Sequence, residues 1–237
     1  GVELPPEDLS TLRETPTSPR EIEEFARHVR EQWGLSFGPI PSVIPLVESH
    51  GVRVLPLEAE TEKVDAFSYW LDGQPYMMLD LRKPASRVHF DAAHELGHLL
   101  MHEDVAAGDP EAESDADAFA AAFLLPEASA RKELPNRWNV YDFLALKKRW
   151  HVSIAALVMR ARRLGVLSES SARRAFQQMN ATGTRKRERG EWKLQGPTVL
   201  AQALAIVQDE FELSDFADRL ALHEASLREL LRSLPES

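Results

Sequence analysis

His94-Glu95-Leu96-Gly97-His98 is the stretch that decides how this chain is read. On an α-helix residues i and i+4 share a face, so His94 and His98 can hold one metal ion between them. Glu95 lies beside the pair, placed to take a proton from a water that the ion activates. This is the zinc-peptidase arrangement, in which the glutamate serves as general base. Phe90, Ala92, Ala93, Leu96, Leu99 and Leu100 make the surrounding segment mostly apolar, as suits an inward-facing active-site helix. The competing explanation is a buried helix with two hydrogen-bonded histidines.

A catalytic site needs a third protein ligand and an open fourth position. His102 follows four residues after His98, but on a straight helix it would stand ~12 Å from His94 along the axis, too far for one ion. It is expected to support the ligands, face substrate or serve structure. Asp104 falls where a last ligand can follow a helix-breaking glycine, yet Met101 occupies that glycine position. Further on, Asp109-Pro110-Glu111 reads as a helix start, with Asp109 as N-cap and Pro110 at the first helical position. Glu113 and Asp117 on that helix are i and i+4, so both can point at the first helix. Glu113 would complete a His-His-Glu site, and Asp117 would accept the spare N–H of a ligand histidine and fix its tautomer. Complementing the helix dipole would explain Glu111 well but Asp117 poorly, because that effect fades after the first turn.

These two segments resemble a known family. Arg87 to His102, with the histidine motif inside it, is similar to the active-site helix of the ImmA/IrrE metallopeptidases. Glu113-Ser114-Asp115-Ala116-Asp117-Ala118-Phe119-Ala120, continuing to Leu124-Leu125-Pro126, is similar to that family's second signature. Weaker likeness extends over roughly residues 20 to 180, including Trp33-Gly34-Leu35 and Leu146 to Gly165. The resemblance implies an α+β, mostly helical fold: a zincin-like metallopeptidase domain with a small three-stranded sheet, then a helical, helix-turn-helix-like region. It also implies a narrow protein substrate, a helix-turn-helix transcriptional repressor cut once in a stress, DNA-damage or mobile-element response. Similar members carry an XRE-type helix-turn-helix domain before the peptidase, which this sequence lacks. Its opening Gly1 leads us to expect a longer parent protein.

Composition narrows the class further. The 237 residues can bury a sizeable core. There is no cysteine, hence no disulfide and no thiolate metal site, which agrees with a cytoplasmic setting. The longest apolar run, Ala118 to Leu125, is eight residues, far short of a membrane span. The first residues lack the basic and apolar regions of a secretion signal. Charge is uneven. Against an overall net of −10, Lys147 to Arg189 holds twelve Lys or Arg and only Glu169 and Glu188, a local net of +10. Such a stripe is the electrostatic footprint of a nucleic-acid contact. It could equally dock an acidic patch of the chain's own catalytic domain or of its substrate.

The expected organisation is a flexible lead-in at 1–17, a metallopeptidase domain at 18–135, a helical unit at 136–182, and a basic loop with terminal helices at 183–237. Within it, helices are expected at Pro19–Trp33, Ile40–Ser49 (starting or broken near Pro45), Val140–Arg149, Ser153–Leu164, Ser168–Asn180, Val199–Phe211 and Ser214–Leu234. Val52–Leu55, Asp65–Trp70 and Tyr76–Asp80 read as strands, the last two joined around Asp72-Gly73. The expected chemistry is peptide hydrolysis with zinc on His94, His98 and Glu113, manganese or iron being able to replace it. Tyr69, Tyr76, Tyr141, His89 and nearby arginines are open as oxyanion partners. The alternative function is a DNA-binding regulatory protein whose zinc fold serves binding with little or no turnover.

Overall fold

The computed structural model describes residues 9–57, 64–102, 105, 108–183 and 188–199. Asp104, Arg185 to Arg187 and the expected helices beyond Val199 lie outside the described residues.

The chain is an α+β protein in which helices pack on one face of a small mixed sheet. Helix α1 (Pro19–Gln32) starts at Ser18, whose hydroxyl accepts from the Glu21 amide while the Glu21 carboxylate accepts from the Thr17 amide at 2.8 Å. This reciprocal capping satisfies amides that the first turn leaves unpaired. Ile22, Phe25, Ala26 and Val29 form its buried face. Helix α2 (Val43–Ser49) begins after Ser42 with Pro45 in its first turn, where a missing N–H costs nothing. It is therefore shorter than the expected Ile40–Ser49.

The strands are β1 (Arg53–Pro56), β2 (Ala66–Leu71) and β3 (Gln74–Leu79) in the order β1-β3-β2, with β1 parallel and β2 antiparallel to β3. Asp72 (φ 51°) and Gly73 (φ 72°) make the two-residue hairpin turn, both in the left-handed region that such a turn requires. Val54, Met77 and Leu79 are buried on the inner face. There α3 (Ala85–Met101) lies across the sheet, held by Trp70, whose indole N–H donates to the Leu99 carbonyl at 3.1 Å.

Helix α4 (Pro110–Leu124) packs between α3 and α1. Asp109 caps it, accepting from the Glu111 and Ala112 amides at 3.0 Å. Helices α5 (Glu127–Glu133), α6 (Val140–Trp150), α7 (Ile154–Arg163) and α8 (Glu169–Ala181) follow. The sequence reading did not single out α5, which restarts immediately after Pro126 fixes the backbone for a new first turn.

Two expected boundaries give way to packing. The core runs without a break from Leu9 through Phe119 and Phe143 to Met179, so the 136–182 unit shares the interior of the first domain. Residues 9–17 are also not a flexible lead-in. Leu9 to Leu12 form a 3-10 turn with Leu9 buried, the Glu14 amide donates to the Leu100 carbonyl, and Arg13 sits over the Trp70 ring. Apolar Leu9 and Leu12 within a polar, proline-rich stretch supply the anchoring.

Candidate metal centre and its clefts

The side chains of His94 and His98 leave the same face of α3, and α4 brings Glu113 opposite them. His94 Nε2 and His98 Nε2 lie 3.0 Å apart, and the Glu113 carboxylate stands 3.3 Å from the first and 3.7 Å from the second. Three ligands ~2.0 Å from a tetrahedral ion stand ~3.3 Å from one another, so these separations fit a single small cation. Among the described residues this is the one group of three His, Cys, Asp or Glu side chains arranged to hold a metal.

Close approach of the two helices makes the cluster possible. A Cβ on Gly97 would meet the Phe119 ring at 3.1 Å and the Ala116 backbone at 3.3 Å. Glycine inside a helix costs ~1 kcal/mol against alanine, and here that cost lets α4 approach α3. The sequence reading passed over Gly97, although a glycine in an otherwise strong helix pattern is the signal for such contact.

Each histidine is held from behind. His94 Nδ1 donates to Asp117 Oδ1 at 3.0 Å, which leaves its Nε2 lone pair facing the cluster. His98 Nδ1 lies 3.0 Å from His102 Nδ1, so a proton on His98 Nδ1 is shared with His102 while Nε2 faces Glu113. His102 is outside the three-residue cluster. Burial, then the neighbouring His94 and His102, push the His98 pKa down to about 4 and favour the neutral ring that a metal needs. Burial also opposes a charged His94, but its hydrogen bond to Asp117 and the surrounding carboxylates outweigh it and raise its pKa.

Glu95 is buried, 5 % exposed, and it accepts the Ser68 hydroxyl proton at 2.7 Å. Burial drives its pKa up to about 7 in spite of that hydrogen bond. A base poised there can both accept and return a proton near neutral pH. Ser68, a polar position in the apolar strand β2, is a further site residue missed in the sequence.

Two clefts meet at this centre. One, of about 530 Å³, runs between α3 and α7 and is lined by Arg87, Phe90, Asp91, Met159, Arg163 and Phe176. The other, of about 480 Å³, lies along β2 and is lined by Phe67, Tyr69, Trp70, His98 and Val105. Glu95 and Glu113 border both. Of the open oxyanion partners, Tyr69, Arg87 and Arg163 border a cleft. Tyr76 stacks on Tyr69 and receives a hydrogen bond from Arg53 on the outer sheet face. Tyr141 is 78 % exposed on α6, and His89 is buried against Trp192.

Four described cations of the basic segment have carboxylate partners in the fold, two of them buried. Lys147 is fully buried against Glu188 and Glu191; Arg160 pairs with Glu23 and donates to the Leu125 carbonyl. Arg149 pairs with Glu133 and Arg162 with Glu169.

No described helix is long and apolar enough to cross a membrane. A comparison with curated proteins finds no match, whereas residues 47–162 match the family described as the IrrE N-terminal-like domain of the M78 peptidases. That span contains both helices of the cluster, so the metal centre lies within an IrrE N-terminal-like domain of the M78 metallopeptidase family.

Proposed function

We propose that the protein is a zinc-dependent endopeptidase that cleaves a helix-turn-helix transcriptional repressor in a stress, DNA-damage or mobile-element response. The observation that carries the reading is Glu95, a buried carboxylate held by the Ser68 hydroxyl at 2.7 Å and set on the same helix turn as His94 and His98. A site used only for binding or structure has no need of that base.

His94, His98 and Glu113 would hold the ion, and their borderline nitrogen and hard oxygen donors suit zinc while admitting manganese or iron. A divalent ion there supplies Lewis acidity, polarising the scissile carbonyl and acidifying water. Asp117 and His102 keep the two imidazoles turned toward it. Ser68 holds Glu95, which takes the proton of the attacking water and passes it to the departing amine. An open cleft on each side of Glu95 suits a chain that enters from one and leaves by the other, which supports cutting within a polypeptide. The choice of a repressor as substrate rests on the family resemblance of the two signature segments.

A DNA-binding role for the basic segment draws less support, because Lys147, Arg149, Arg160 and Arg162 already have partners within the fold. The test is incubation of the metal-loaded protein with repressors encoded by neighbouring genes. The parent should cut one of them once. Glu95→Gln should keep its metal yet lose ~10²- to 10⁴-fold in cleavage. An active Glu95→Gln protein would end this assignment.

A further inference from the structure

The segment from Glu188 to Val199 crosses the molecule as a strap without regular structure until Thr198. Two of its carboxylates meet at one cation. Lys147, in the last turn of α6 and fully buried, donates to Glu188 at 2.7 Å and to Glu191. Each carboxylate also reaches the first turn of a different helix. Glu188 accepts from the Ile154 and Ala155 amides of α7, at 2.9 and 3.3 Å. Glu191 accepts from the Ser86 amide and the Ser86 hydroxyl of α3, both at 2.8 Å. The α3 helix opens on Pro84 with no side-chain cap of its own, so Glu191 supplies from more than a hundred residues away the anion that a helix start favours.

The two helices so joined are the two walls of the larger cleft. Ser86 and Ser153 line one of its ends, and His94 and Glu95 line it at the metal centre. We propose that the Lys147–Glu188–Glu191 clamp sets the separation of α3 and α7 at the end of the cleft remote from the metal. On this view Lys147, Glu188 and Glu191 are positioning residues for extended substrates, and the strap belongs to the catalytic unit although it lies beyond the matched family domain. The substrate part of the inference rests on the peptidase reading; the spacing part does not.

The geometry also says which substrates feel the clamp. Ser86 and His94 stand ~12 Å apart along a helix rising ~1.5 Å per residue, the reach of roughly four extended peptide residues. Peptides that stop short of that reach never touch the clamped end.

The chain has no cysteine, so spin labels on Arg87→Cys and Arg163→Cys report the distance between α3 and α7 without background. Lys147→Met should widen that distance distribution. The neutral triple variant Lys147→Met, Glu188→Gln, Glu191→Gln leaves no buried unpaired charge, and it decides the matter if the single variant fails to fold by circular dichroism. Metal content should stay at the parent's level in both. With randomised quenched-fluorescence peptides, the variants should lose roughly tenfold to hundredfold on long probes of about twelve residues, through KM, and nothing on probes of about four. An unchanged label distribution in the folded triple variant, or equal losses on long and short probes, would overturn the proposal. If the parent cut neither probe, the peptidase reading would fall while the labels still judged the clamp.

Discussion

The α3–α4 pair and the α6–strap region are both built around charged side chains, yet they were differently visible. In the first, His94, His98, Glu113 and Asp117 fall at helical spacing on two helices, so the pattern in the chain is the pattern in space. In the second, Lys147 meets Glu188 and Glu191 across more than forty residues, and only the fold brings them together. Local periodicity reports which side chains share a face. A local charge count, by contrast, says how much charge is present and not where it goes. Within the basic excess from Lys147 to Arg189, Lys147 and Arg160 prove to be buried, so their charge serves the interior and not a surface.

The largest effect that would sharpen this contrast lies in the first region. Asp117→Ala removes the carboxylate that orients His94 and should weaken metal affinity or activity roughly 10- to 100-fold. Metal titration against a competing chelator would measure it. A variant equal to the parent in both properties would show that the Asp117 carboxylate does not orient His94 for the metal.

A smaller effect belongs to the second region. His89 is fully buried between His151, which follows α6, and Trp192 of the strap, and its Nε2 has no hydrogen-bond partner among the described residues. Burial, then the nearby His151, push its pKa down to about 3 from an ordinary value of 6.5. The folded state therefore prefers the neutral ring. The stability this provides is complete above pH ~6.5 and declines as pH falls toward 3, by at most ~1.4 kcal/mol per pH unit. Denaturation of the parent and of His89→Gln across that window should give curves that diverge by this slope. Parallel curves would mean that the ring finds water or a partner when it charges.

Much of the candidate site could be read directly from the sequence, because the ligands and their supports are i, i+3 or i+4 neighbours. The hairpin was equally plain, since Asp72-Gly73 tolerates the left-handed backbone that a two-residue turn needs. What escaped were residues whose role lies in a distant partner. Ser68 matters because β2 passes over Glu95, Gly97 because α4 presses on α3, and Glu191 because α3 lacks a cap. The anchoring of residues 9–17 escaped for a related reason: two leucines in a proline-rich run carry no periodic signal, and their burial depends on a pocket formed by α3.

We propose Glu113 as the third ligand of a single metal centre. Zinc binding to the metal-stripped parent and to Glu113→Ala, followed by calorimetry, tests it most directly. The parent should take up about one ion per chain on its His-His-Glu set. Glu113→Ala, left with two histidines, should bind far more weakly and cleave nothing. A Glu113→Ala protein that held zinc as tightly as the parent would contradict the account.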